Sequence, residues 1–211
     1  MVMSRQTTPK NNIKVNGYSF EQVEEFKYLG VNINEKNNMH HEIKLRMCAA
    51  NRSYYAMKEM FSSKLLSRRT KERLYITYLR PIATYAFETW ASTKGDEEKL
   101  SSIERKILRK IYGPVYNVNS EIFERRKNDE IQRLFNKPSI CQFVCSKRIE
   151  RAGHVWRAEG CLIWKVMVGN PTGKRPLGRP RQRWLDTVKR DLSKINNTFS
   201  IDMATDKNGL G

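Results

Sequence analysis

The sequence predicts an α+β chain that is mainly α: short N-terminal strands, then a helical bundle, then a basic helical tail. Three observations predict it. Apolar residues alternate only before residue 34, they recur at three- and four-residue spacing through most of 39–158, and positive charge gathers late in the chain. With 39% hydrophobic and 10% aromatic residues over 211 positions, the chain has enough core formers for one or two modest domains.

The first ten residues are polar and are expected to fray. Ile13 and Val15, then Asn16-Gly17, then Tyr18 and Phe20 read as a β-hairpin, because Asn-Gly suits a two-residue turn that needs left-handed backbone at both positions. Phe26, Tyr28, Val31 and Ile33 read as one further strand with Gly30 inside it as a bulge or close approach. Ile43, Met47, Ala50, Tyr54, Met57 and Phe61 then form one helical stripe. Thr70 to Trp90 carries too many apolar residues for one stripe, so this helix is expected to be buried on most sides, with Pro81 kinking or dividing it. Gly95 and Asp96 are expected to supply a break and a cap before the stripe Leu100, Ile103, Ile107 and Ile111, which ends at Gly113-Pro114. Shorter helices are expected at Ser120 to Arg126, Asp129 to Phe135 and Ile140 to Ala158. The Gly/Pro-rich stretch of 170–180 reads as a linker, and Pro180 opens a helix with Trp184, Val188 and Leu192 on one side.

Forty Lys and Arg against 22 Asp and Glu leave a formal net charge of +18, which points to a polyanionic partner, RNA or DNA. Between residues 140 and 190, twelve cations face three acids, an excess of nine, or half of the total. No apolar run approaches the ~18 residues of a spanning helix, and Met1 to Lys10 has no signal-like stretch. The expectation is a nuclear or cytoplasmic chain, not secreted and with no membrane partner. Cys48, Cys141, Cys145 and Cys161 are expected to be reduced thiols.

Three stretches line up in order: Phe26-Lys27-Tyr28-Leu29-Gly30; Leu74-Tyr75 through Arg80-Pro81 to Tyr85, Glu88 and Trp90; and Gly178-Arg179-Pro180-Arg181-Gln182-Arg183-Trp184-Leu185-Asp186. Arg151-Ala152-Gly153-His154-Val155-Trp156-Arg157 stands between the last two. Over residues 13–192 this ordered set resembles the C-terminal part of a non-LTR (LINE-like) retrotransposon reverse transcriptase, an RNA-directed DNA polymerase. The resemblance implies a last palm element with a primer-grip-like role at 13–38, where Lys27, Tyr28 and Gly30 would meet nucleic acid. It also implies a thumb-like bundle at 39–113, a helical post-thumb segment at 114–169 and a basic linker and helix at 170–196. Residues 1–12 and 197–211 are expected to be disordered. The family polymerises through an adjacent Asp pair, whereas Asp96, Asp129, Asp186, Asp191, Asp202 and Asp206 include no such pair. The fingers, catalytic palm and endonuclease would precede Met1. The chain therefore reads as a non-catalytic fragment, not an enzyme on its own, with a polymerase core in trans as a further candidate partner. An inert relic open reading frame is the alternative.

Lys174, Arg175, Arg179, Arg181 and Arg183 sit in an extended Gly/Pro-rich frame suited to phosphate contacts. Gly178-Arg179-Pro180 matches the core of an AT-hook, but Leu177 stands where the hook has Arg. Trp184 suits a core anchor better than a base stack, and Phe26 and Tyr28 are as suited to packing under the helices as to facing nucleic acid. Asp186 and Asp191, five apart on a helix, read as solvated ion pairs rather than metal ligands. His40, His41 and His154 fall in no nucleophile motif. Cys141-x3-Cys145-x8-His154-x6-Cys161 offers four zinc-type ligands, and a zinc-dependent nucleic-acid-binding module centred there is the second alternative. Against it, Cys141 and Cys145 fall on the apolar side of a helix, where thiols serve as small hydrophobes. No cofactor is expected.

Overall fold

The structure, a computed structural model, describes residues 12–36, 38–119, 121–169 and 182–195. The expected disordered ends, apart from Asn12, and all of the Gly/Pro-rich linker lie outside those residues. Strands β1 (Ile13–Val15) and β2 (Tyr18–Phe20) pair across Asn16-Gly17, whose φ angles of 50° and 83° are those of the expected left-handed turn. Strands β3 (Glu25–Tyr28) and β4 (Val31–Asn34) form a second hairpin. Here the reading of one strand with a bulge is corrected. Leu29 and Gly30 both have positive φ, 46° and 81°, so the chain reverses between Tyr28 and Val31. The glycine is needed for this turn: an added Cβ would find ordinary room against Tyr85, but not an easy φ.

Helix α1 (Met39–Ala56) starts where the Asn38 side chain accepts from His40 N at 3.1 Å. The expected continuous stripe to Phe61 breaks at Met57, and a short α2 (Lys58–Ser62) carries Phe61 fully into the core. Helix α3 (Arg68–Leu74), a π-helical turn (Tyr75–Leu79) and α4 (Arg80–Thr84) run on as one rod. The π turn accommodates Pro81. A wider turn relieves the clash of the proline ring with a preceding carbonyl, and Arg80 N bonds to Tyr75 O in place of the usual partner.

After a 3-10 turn at Phe87–Thr89, α5 (Lys94–Tyr112) begins with a capping box: Asp96 N donates to Thr93 Oγ1 at 3.3 Å and Thr93 N to Asp96 Oδ2 at 3.1 Å. Thr93 is thus the cap, and Gly95 lies inside the helix. Gly113, with φ 69°, ends α5 as expected. Strands β5 (Val115–Asn117) and β6 (Ile122–Glu124) then form a hairpin where a helix was expected. The β-branched and aromatic residues Val115, Tyr116, Ile122 and Phe123 favour extended backbone there. Helices α6 (Asn128–Phe135), α7 (Ile140–Arg157), α8 (Leu162–Val168) and α9 (Trp184–Ile195) complete the described chain.

Helix α5 is the spine of the bundle. Ile103, Ile107, Leu108 and Ile111 pack with Phe61, Tyr75, Leu79, Ile131 and Phe135, while Leu100 joins a second cluster with Ile43, Phe87, Trp90, Ile140 and Val144. Glu104 sits between these clusters, buried on the same helix. Its Oε1 accepts from Tyr75 OH and from the Arg80 guanidinium, each at 2.7 Å, and its Oε2 accepts from Ile140 N at 2.8 Å. Arg80 also donates to Pro138 O at 2.9 Å. One carboxylate therefore ties the π turn, α5 and the start of α7 together.

Glu104→Ala leaves the Arg80 charge buried without its counter-ion and should cost about 3–5 kcal/mol. Urea denaturation measures this, and a loss below about 1 kcal/mol would show that the pair does not join these segments.

Candidate nucleic-acid interface

The outer face of α5 bears Ser102, Arg105, Lys106 and Arg109, spaced i, i+3, i+4 and i+7, so they form one stripe opposite the buried leucines and isoleucines. The segment after β6 brings Arg125, Arg126 and Lys127 alongside, with Asn128 opening α6. Together they line a groove of about 780 Å³. Six of its eight lining residues are cationic.

Hydrogen bonds hold the two sides together. Arg109 donates through Nε to Arg126 O at 3.5 Å and through its terminal nitrogen to Asn128 Oδ1, while Arg126 Nε donates to Gly113 O at 3.1 Å. Arg126 also pairs with Glu130, the acid at this groove. Arg105, Arg125 and Lys127 have no acidic partner among the described residues. Partial burial first, and then the charges of Arg125 and Arg105, push the Arg109 pKa down. Lys106 lies over the Tyr55 ring at 4.8 Å and donates to its hydroxyl at 3.1 Å. Like charges held this close are stabilised by a bound anion. The charge count over 140–190 stopped short of this groove, although the run Arg125-Arg126-Lys127 and the cationic stripe of α5 were both visible in the sequence.

The primer-grip-like residues are placed differently. Leu29 O accepts from Tyr85 OH at 2.7 Å, and Gly30 O accepts from Arg46, which stacks on Tyr85 at 4.7 Å. Asn32 N donates to the buried Glu42 at 3.0 Å, which Arg46 Nε also reaches at 2.6 Å. Gly30 thus serves to dock the hairpin on α1 and α4, and Lys27, Phe26 and Tyr28 stay exposed rather than packed under the helices. Lys174, Arg175, Arg179 and Arg181 lie outside the described residues, and Arg183 is exposed just before α9.

Helix α9 is anchored by charge as well as by Val188. Arg148, fully buried, pairs with Asp191 and donates to Ser92 Oγ at 2.8 Å. Arg190 reaches Glu97 at 2.7 Å, and Lys194 reaches Asp191 at 3.1 Å. The solvated reading of Asp191 is corrected: it pairs inside the protein, because α9 packs against α7. Trp184 donates through Nε1 to Glu88 O at 2.7 Å, which makes it an anchor.

The zinc-type residues do not converge. Cys141 Sγ donates to Glu97 O at 3.3 Å and lies 3.0 Å from Ser101 Oγ, Cys145 faces Asp191, and Cys161 and His154 are exposed. Among the described residues, no three His, Cys, Asp or Glu side chains are placed to hold a metal ion. Burial raises the thiol pKa of both Cys141 and Cys145. No described helix is long and apolar enough to cross a membrane.

No known protein family profile matches the chain, and no solved structure matches it. It is 26% identical over 175 residues to an uncharacterized protein of Caenorhabditis elegans described as transposon-derived. The match covers 82% of this chain and 62% of that relative, so the chain spans less than two thirds of the relative's length. The likeness supports a transposon origin.

Alkylation of the native protein at pH 8 should therefore modify the exposed Cys48 and Cys161 well before Cys141 and Cys145, and a chelator should leave the thermal midpoint unchanged. Peptide mass mapping reads the order. Chelator-induced melting would restore the zinc reading.

Proposed function

We propose that this chain is the C-terminal, non-catalytic part of a retrotransposon reverse transcriptase, and that it binds the backbone of an RNA–DNA hybrid or another nucleic acid. The observation that carries the binding is the groove between α5 and the start of α6, where six cations face one acid. Groups of this kind release counterions from phosphates and give affinity without reading sequence. The cationic stretch around Lys174, Arg175, Arg179, Arg181 and Arg183 supplies a second set of phosphate contacts. Its described flanks are the helices α8 and α9, and α9 is pinned to α7 by the Arg148–Asp191 pair. The transposon-derived relative supports the origin, and the ordered stretches from Phe26 to Asp186 support the reverse transcriptase reading. No two aspartates are adjacent in the sequence, which supports a binding role in place of polymerisation by this chain alone.

A salt titration of binding tests it. On duplex DNA, log affinity against log salt falls with a slope of about −0.9 per phosphate contact. Replacing Arg105, Arg125 and Lys127 by Ala should flatten the slope by about 2.7, and replacing the five tail cations by Ala should flatten it by about 4.5, with equal losses on unrelated sequences. Slopes equal to that of the unaltered chain in both variants would overturn the proposal.

A further inference from the structure

Beside the groove stands the β5–β6 hairpin, which the resemblance does not use. Tyr116 and Phe123 sit directly opposite each other across its strands, with ring centroids 5.2 Å apart and planes at 61°. In this edge-to-face arrangement the rings support each other sideways and leave a face open. Both stay in solvent: Tyr116 is 50% exposed and Phe123 71%. A strand whose apolar residues had a core to meet would bury them, and these two rings meet none.

The hairpin springs from the rim of the groove. Its base is clamped where Arg126 donates to Gly113 O, three residues along each chain from the rings. Arg125 follows Phe123 by two residues, about 7 Å of backbone at most. The one acid of β6, Glu124, is taken up by Asn117 Nδ2 at 2.6 Å on the other face of the hairpin, because neighbouring strand residues point to opposite sides. The face of the two strands that carries the rings therefore carries no acid of β5 or β6.

Resting on the backbone-binding reading above, we infer that this site takes an unpaired strand of nucleic acid: phosphates lie along Arg105, Arg109 and Arg125, and a base stacks on the Tyr116 and Phe123 pair. Cations alone serve paired and unpaired strands alike. A projecting aromatic platform adds affinity only where base faces are free, and in a duplex they are stacked on one another. The combination of a positively charged groove and adjacent aromatic rings is what sequence-tolerant single-strand binding requires.

The test compares the full chain with Tyr116→Leu/Phe123→Leu, which keeps an apolar strand but removes the rings, and with Tyr116→Trp/Phe123→Trp, which keeps stacking. Fluorescence anisotropy is read on a labelled single-stranded oligo-uridine and on an RNA–DNA hybrid of the same length. The leucine variant should lose at least about tenfold on the single strand and under about threefold on the hybrid, with its thermal midpoint retained. The tryptophan variant should bind the single strand as the unaltered chain does. Equal losses on both ligands, or none on either, would overturn the single-strand site while the salt dependence of the Arg105, Arg125 and Lys127 variant still upheld backbone binding. If the unaltered chain bound neither ligand, both proposals would fall together. If the hairpin were instead a contact between two copies of this chain, the leucine variant would lose a concentration-dependent mass in light scattering and keep its affinity for the oligonucleotide, which also overturns the inference.

Discussion

The buried carboxylate of Glu104 constrains the bundle more than any single apolar contact, because a charge taken out of water has to be met by donors inside the protein. Tyr75, Arg80 and the amide of Ile140 are those donors, and they bring two segments that are distant in sequence onto α5. Arg80 in turn reaches Pro138 O, so the joint before α7 is held from both sides. Removing a partner from such a pair costs more than the pair contributes, since an unmatched charge would remain inside. The π turn follows from the same demand. Widening the rod at Tyr75–Leu79 accommodates Pro81 where Tyr75 and Arg80 both turn toward one carboxylate.

A second pair, Arg148 with Asp191, does for the end of the described chain what Glu104 does for its middle. Helix α9 returns after the Gly/Pro-rich stretch and fits Val188 and Asp191 against α7, with Trp184 bonded to Glu88 O. The acids Glu42, Asp96, Glu104 and Asp191 are thereby drawn into the protein and matched there. Arg105, Lys106 and Arg109 of α5 and the cations of residues 125–127 face outward with Glu130 as their acidic counterweight, so part of the excess charge of the sequence gathers in a groove.

Much of this was legible in the residues. Asn16-Gly17, the α5 stripe ending at Gly113, the helix from Ile140 and the Trp184 anchor follow from local chemistry, which acts over a few positions and so leaves its mark in the spacing. The misreadings share one cause. Phe26, Tyr28, Val31 and Ile33 were read as one strand with Gly30 as a bulge or close approach, because alternation holds on both sides of it, yet it holds equally on the two sides of a two-residue reversal. Asp191 was read as solvated because its neighbours are charged, whereas its partner lies 43 residues away on α7. The groove was missed because its two walls, Arg105 to Arg109 and Arg125 to Asn128, are each unremarkable as short charged stretches.

By itself the sequence determined the fold class, the helix ends that carry their own caps, and the sign and size of the net charge, since each depends on residue type and near neighbours. Only the tertiary structure decided which cations stand together, which acids are hidden, and that Tyr116 and Phe123 are left in solvent beside them. Electrostatic crowding and burial depend on distance in space, and that distance is set by how α5, α6, α7 and α9 pack, not by separation along the chain.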